Sequence, residues 1–320
     1  MNTLRYIFGK TFISDMKNHL PPYQIRSISE LHRILEIPGP QHPLVSLIDF
    51  EKIKCFSEEK YRSVSYNFYS IAIKKNFEGK IKYGQNDYDF DEGLMTFFAP
   101  GQVITTEINY DKVISGWWLV VHPDFIRGTA LALKMGNYGF FSYAVHEALH
   151  LSIAEESFLE DLIFKIGKEL NSALDSFSHD VIISYLELFL NYCNRFYHRQ
   201  FITRKQGGND LLTKVEVLLI NYFSSEEQSQ QGLPTVQYLA QQLNFSSKYL
   251  SDMLKATTGQ TTQQHIHAKL IEKAEEILTT TNLSVSEIAY RLGFEHPQSF
   301  SKLFKSKTDV SPLEYRQSFR

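Results

Sequence analysis

VQYLAQQLNFSSKYLSDML, from Val236 to Leu254, and VSEIAYRLGFEHPQSFSKLF, from Val285 to Phe304, are two copies of one pattern. Each opens on an apolar residue and reaches an apolar-Ala pair, Leu239-Ala240 or Ile288-Ala289. A Leu follows three residues on (Leu243, Leu292), then a residue that tolerates positive φ (Asn244, Gly293), then a Phe (Phe245, Phe294). Two short helices crossing steeply at a tight turn need a small residue where they touch and a left-handed-tolerant residue at the corner. One such match arises by chance. Two in register, 49 positions apart, do not. Tandem helix-turn-helix units at 236–255 and 285–305 suit two successive major-groove faces of one duplex, so double-stranded DNA is the expected partner.

Between the units, Thr261–Thr280 carries Ile266, Leu270, Ala274, Ile277 and Leu278 on one helical face. A helix of about 16 residues is roughly 24 Å long, a suitable strut for two reading heads about one duplex turn apart. The first reading helix is expected at Ser247–Thr257, with Ser246 as N-cap and Leu250, Met253 and Leu254 inward. Lys248, Tyr249, Ser251, Asp252 and Lys255 are left for the outer face and its flanks. The second is expected at Pro297–Ser306, with Phe300, Leu303 and Phe304 inward and Gln298, Ser299, Ser301, Lys302 and Lys305 outside. Pro at a first-turn position costs nothing, because its missing N–H has no helical partner there. Gln pairs bidentately with adenine, Lys with guanine, and Ser with either.

Composition sets the outer bounds. The 320 residues are 43% hydrophobic and 22% charged, ordinary for a globular protein. No apolar run reaches the ~20 residues of a membrane helix, and no secretory core is visible among Arg5, Lys10 and Lys17. Cys55 and Cys193 stand alone, with neither metal-ligand spacing nor a disulfide framework, which suits a reducing cytoplasmic setting. No cofactor and no membrane partner are expected. Net charge is −3, but residues from Leu233 onward carry +2 and the remainder −5. A DNA site here depends on local placement of charge, not on overall charge.

Upstream, Leu44–Phe50, Ser65–Ile73, Lys80–Tyr83, Leu94–Ala99, Val103–Ile108 and Ser115–Val121 are short runs rich in β-branched and aromatic residues. Their spacing predicts a β sandwich or small barrel over 1–152, whose interior holds either a small ligand or solid core. A helical hairpin is expected at 153–203. Its first arm has Phe158, Leu159, Leu162, Ile163, Ile166, Leu170 and Leu174 in a 3.6-residue stripe. The second, from Asp180 to Phe201, is apolar nearly all round and wants two partners, its hairpin mate and either the β region or a second subunit. A homodimer is the expectation carried forward. Arg204–Asn209 reads as a linker, Asp210–Phe223 as a helix and Ser224–Gly232 as a polar loop.

LAQQLNFSSKYLSDMLKATTGQT, the strut and IAYRLGFEHPQSFSKLFKSKTDVSPLEYR together resemble the DNA-binding domain of the AraC/XylS family of bacterial transcriptional regulators. The second turn, one residue longer than the first, is as that family has it. The resemblance covers 210–320 and implies base contacts at Lys248, Ser251, Asp252, Gln298, Ser299, Ser301 and Lys302. Asp252 departs from the family, where a base-reading Arg is common. GWWLVVHPDFIRGT and FFSYAVHEALHLS more loosely resemble the cupin-like sensory portion of such regulators. His42, His122 and His146 are isolated, so the His/Glu boxes of metal-binding cupins are absent. The resemblance implies an α+β multidomain chain with a cupin-like sensory β domain, a helical hairpin and an all-α double helix-turn-helix domain. It further implies an activator that engages RNA polymerase and answers to a small-molecule effector, the alternative being a regulator with no such ligand, controlled by its abundance alone.

One rival signal points to an enzyme. His146-Glu147-Ala148-Leu149-His150 matches HExxH, which on a helix offers two zinc ligands and a general base. The aromatic, strand-like run before it argues instead for a packing role, with no catalytic residue and no metal.

Overall fold

The computed structural model describes residues 6–8, 21–53, 61, 63–75, 81–83, 86–88, 93–108, 115–173, 175–203, 208–224 and 232–319. Arg5, Lys10, Lys17, Cys55, Lys80, Leu174, linker residues 204–207 and loop residues 225–231 lie outside them. The chain divides into two compact units, 1–200 and 201–320.

The first unit contains eleven described strands: β1 Tyr6–Phe8, β2 Tyr23–Ile25, β3 Val45–Asp49, β4 Ser63–Tyr66, β5 Tyr69–Lys75, β6 Ile81–Tyr83, β7 Asn86–Tyr88, β8 Leu94–Phe98, β9 Val103–Ile108, β10 Ser115–Val121 and β11 Leu149–His150. They form sheets of order β1-β9-β4-β2 and β11-β8-β5-β10-β3, with β6 and β7 as a separate ribbon. The run Ser65–Ile73, expected as one strand, is two. It breaks at Asn67-Phe68, so β4 joins the smaller sheet and β5 the larger. Asn67 N–H donates to the Ile25 carbonyl (3.1 Å) and Phe68 is fully buried, which fixes the bend.

One core joins the two sheets: Ile25, Val64, Tyr66 and Ile104 from the smaller, Ile48, Ala72, Trp118 and Val120 from the larger, with Ile28, Leu31 and Leu35 of helix α1 (Ile28–Ile34). The space between these strands is side-chain core. β5 is buried at every position from Ser70 to Lys74, because both of its faces are covered. Leu47, Ile71 and Leu119 share the opposite face through the register of β3, β5 and β10. Helices α2 (Pro123–Ile126) and α3 (Ala130–Lys134) precede the hairpin of α4 (Ile153–Leu170) and α5 (Ser178–Thr203). α4 lies on that outer face: Trp117 packs edge-on to Phe164 (4.9 Å), and a side chain at Gly167 would collide with Leu47. The stripe of α4 is buried as expected except at Phe158, which is half-exposed and sits 4.4 Å from Tyr192 of α5.

α5 finds its second apolar partner within the same unit. Ile182, Leu186, Phe189, Leu190, Cys193, Phe196 and Tyr197 are all buried. Tyr197 stacks on Phe140 (5.6 Å), and Tyr138 Oη donates to Asn191 Oδ1 (2.9 Å). The HEALH run is not helical. Residues 145–147 make one 3-10 turn, and 149–150 are β11, paired with β8. His146 and His150 therefore do not share a helical face, and the zinc-hydrolase alternative loses its geometry. Glu147 is fully buried and accepts from Ala144 N–H (2.5 Å). Tyr197 Oη donates to the Glu147 carbonyl, and Arg199 to the His150 carbonyl and, through Nε, to Glu155. The Gln200 side-chain amide accepts from His150 N–H (2.8 Å) and donates to the Ala148 carbonyl (3.2 Å). The run is a docking segment whose backbone groups at Glu147, Ala148 and His150 are bonded by side chains of α5.

The second unit is all-helical over its described residues: α6 Gly208–Ser224, α7 Val236–Gln242, α8 Ser247–Thr258, α9 Thr262–Thr280, α10 Val285–Arg291, α11 Pro297–Thr308 and α12 Pro312–Gln317. The expected linker is shortened, since Gly208 and Asn209 open α6. Both helix-turn-helix corners close by one device. Phe245 N–H donates to the Ala240 carbonyl and Asn244 N–H to that of Gln241; Phe294 donates to Ala289 and Gly293 to Tyr290. This is the Schellman pattern, which requires a left-handed residue at the corner. Asn244 has φ +57° and Gly293 φ +93°. The repeat runs further than the sequence reading took it. α8 ends at Gly259 (φ +79°) and α11 at Asp309 (φ +63°), each with a preceding Thr hydroxyl donating back to the helix.

The corners differ in what surrounds them. A Cβ at Gly293 would sit 2.5 Å from the Gly232 carbonyl oxygen, which also accepts from Tyr222 Oη (3.0 Å). Gly293→Ala adds left-handed strain of roughly 1–2 kcal/mol to this backbone collision. It is expected to lower the thermal midpoint of the second unit clearly. Asn244→Gly, which keeps the left-handed corner and adds no side chain, should cost less than Gly293→Ala. Equal midpoints for Gly293→Ala and wild type in a calorimetric scan would contradict the close approach.

Candidate nucleic-acid interface

The strut and the second helix-turn-helix form one core. Leu270, Ile271, Ala274, Ile277 and Leu278 of α9 pack with Ile288, Ala289 and Leu292 of α10 and with Phe300 and Phe304 of α11. The strut has 19 residues, slightly longer than expected, and a capping box of Thr261 and Gln264 sets its start. Arg316 of α12 fastens its far end, donating to the Leu278 carbonyl (3.1 Å) and to that of Leu283 (2.6 Å). Sequence reasoning missed Arg316. Its only signal was its place in the SPLEYR run of the family resemblance.

Both reading helices form where expected. The Ser246 hydroxyl accepts from Tyr249 N–H and starts α8; Pro297 occupies the first turn of α11. Leu250, Met253, Leu254, Phe300 and Phe304 are buried, and Leu303 partly so. On α8, Lys248 and Lys255 are exposed and Ser251 and Asp252 half-buried. On α11, Gln298, Ser299, Lys302 and Lys305 are exposed and Ser301 half-buried. The positions 248, 251, 252 and 255 run i, i+3, i+4, i+7, as do 298, 301, 302 and 305. Each set is one stripe along one helix face, opposite the buried side chains.

Tyr249 is a correction. It is 0% exposed, its ring stacked on Phe245 (5.4 Å, 24° between planes). One residue off the stripe and four beyond Phe245, its ring lies over the turn N-terminal to it, which turns it into the core. Its counterpart on α11, Ser299, is exposed because a hydroxymethyl group fills no such space. The stripes differ in charge as well. Lys248 Nζ lies 2.7 Å from Asp252 Oδ1 on α8, whereas α11 carries Lys302 and Lys305 with no ion pair among the described residues.

No helix among the described residues is long and apolar enough to cross a membrane. No cluster of His, Cys, Asp and Glu among them fits a metal ion. Residues 239–318 match a family described as a helix-turn-helix domain. The HTH-type transcriptional regulator YfiF of Bacillus subtilis is 29% identical over 80% of this chain and 78% of its own length. The HTH-type transcriptional activator RhaS of Escherichia coli is 37% identical, over 25% of this chain and 28% of its own, so the chain spans less than a third of that relative. Among solved structures, the C-terminal domain of the two-component response regulator yesN from Fusobacterium nucleatum is 36% identical, covering 32% of this chain and 96% of that one, with a TM-score of 0.28. The paired corners, the strut between them and the relatives that share this region give one conclusion: the second unit carries an AraC-type helix-turn-helix DNA-binding domain, as transcriptional regulators do.

Proposed function

We propose that α8 and α11 enter successive major grooves and read DNA through Lys248, Ser251, Asp252 and Lys255 on one and Gln298, Ser299, Ser301, Lys302 and Lys305 on the other. The observation that carries this is the pair of exposed stripes of equal spacing on helices joined by one strut. Gln298 near the start of α11 reads a base, and Lys305 two turns on sits nearer the phosphates. Gln298→Ala is expected to weaken specific binding by about 1–3 kcal/mol and to relax preference at one base pair. Lys305→Ala should weaken all sequences alike and reduce the salt slope by about 1. Titrations over a salt series check both, and wild-type affinity and preference in both variants would remove α11 from the groove.

The first unit we read as a cupin-like sensory domain, with the whole acting in the cytoplasm as an activator that engages RNA polymerase. A cavity of about 300 Å³ opens beside β3, lined by Ile37, Pro40, Leu47, Trp117 and Leu170 with Asp49 at its rim. His32, Gln41, Ser46, Lys52 and Asn171 also line it, and this mixed surface suits a small polar molecule with an apolar part. A metabolite that raises the thermal midpoint of the full chain should lose that effect in Asp49→Ala, and an undiminished shift would place the effector elsewhere.

A homodimer is supported by apolar side chains that α5 leaves exposed: Phe177 (71%) just before it, then Val181 and, seven residues on, Leu188 (41%). The half-exposed Phe158 extends the patch onto α4. Leu186, being buried, is the wrong probe, because a charge there unfolds the unit. Leu188→Glu should give a folded monomer by sedimentation, and a wild-type chain that is itself monomeric at tens of micromolar sinks the dimer.

A further inference from the structure

With the second turn one residue longer, positions 248, 251, 252 and 255 of α8 align with 298, 301, 302 and 305 of α11. The alignment sets Asp252 against Lys302. One stripe thus carries a carboxylate where the other carries an ammonium group. This carboxylate is not idle. It lies half-buried on the exposed stripe and holds Lys248 Nζ at 2.7 Å, one helical turn back. Each of the two groups is partly open to solvent, with 46% of the Lys248 side chain and 26% of the Asp252 side chain exposed. The pair lies on a face whose inner side is closed by Leu250, Met253 and Leu254.

Two consequences follow from charge alone. Against phosphates, the stripe of α11 presents two ammonium groups, Lys302 and Lys305, that form no ion pair among the described residues. The stripe of α8 presents Lys255 and a lysine already neutralised by its neighbour. Counterion release scales with the number of phosphates neutralised, so α8 contributes less sequence-independent affinity than α11. In the groove, a carboxylate accepts hydrogen bonds and donates none. Guanine O6 and N7 and thymine O4 repel it, and only the cytosine N4 amino group and the adenine N6 amino group donate to it. Adenine sets the N7 acceptor beside its amino group, which leaves cytosine as the base a carboxylate matches best.

We propose that Asp252 is a specificity-determining residue that lowers affinity for DNA in general and selects a cytosine under α8. On mismatched DNA the Lys248–Asp252 pair stays closed, and neither group contributes to binding. Over cytosine, Asp252 accepts from the N4 amino group. Lys248 is then released to an acceptor nearby, a guanine edge or a phosphate. The first reading head is therefore the discriminator and the second the anchor.

This inference rests on the reading that α8 lies in the major groove, and the experiment separates the two. The full-length protein, its Asp252→Asn variant and its Lys248→Ala variant are compared on a site selected from a random DNA pool and on unrelated duplex, over a salt series. Circular dichroism confirms that each is folded. Asp252→Asn keeps the shape and removes the charge. It should bind unrelated duplex several-fold more tightly, with a salt slope steeper by about 0.9, the contribution of one freed lysine. Preference for cytosine at one base pair should fall by roughly 5- to 150-fold and move toward adenine, which Asn recognises. If Asp252→Asn binds both DNAs as wild type does while Lys248→Ala weakens binding, Asp252 has no such role and the groove reading survives. If Asp252→Asn weakens both DNAs equally, Asp252 only holds α8 in shape and the inference is overturned. If neither variant differs from wild type on either DNA, α8 is not in the groove, and both readings fall together.

Discussion

The second unit depends on two backbone positions being left-handed. A helix that ends in a Schellman corner turns sharply within about two residues and buries the side chain just past the corner. At Asn244 and Gly293 that geometry sends Phe245 and Phe294 inward and starts the next helix at a steep angle. Ala240 and Ala289 supply the corner carbonyls, and their small side chains, both buried, let the paired helices approach. If the corner at Gly293 opens, the reading helix loses its angle and the strut loses Ile288, Ala289 and Phe300 as packing partners.

This explains why so much of the second unit was legible in the sequence. Left-handed corners, hydroxyl caps and a 3.6-residue apolar stripe are written in residues close together along the chain. Ser246, Thr261, Ser284 and Ser311 each cap the helix that follows, through bonds spanning three residues. The stripes 248–255 and 298–305 follow from the same period. Tyr249 was misplaced because polar tips suggest exposure. The ring of Phe245, across the corner, is part of what encloses the apolar body of Tyr249.

The first unit was legible in its strands and not in their grouping. Each β-branched run is a strand, but nothing local shows that Ser65–Ile73 serves two sheets, since the bend is fixed by a bond from Asn67 to the distant Ile25. The greasy character of α5 was read correctly, and its cause lay elsewhere: its second partner is the 123–150 segment and the sheet behind it. The HEALH run shows the same limit, although its packing role was read correctly. A five-residue match carries no secondary structure with it, and the pairing of Leu149 with Met95 sets this one in extended form.

The Gln200 amide gives this sheet an asymmetry with consequences for how copies of the chain meet. An edge strand with unpaired backbone groups is a template for another strand. At β11 the outward N–H of His150 and carbonyl of Ala148 are taken by one side chain that copies the bonding of a peptide unit. At the other end of the sheet, β3 has a single strand neighbour among the described residues, β10. A sheet sealed at one edge cannot grow strand upon strand through repeated copies, because open-ended growth needs a free edge at both ends. A polar side chain buried near the end of a helix thus closes one edge of the sheet to strand addition.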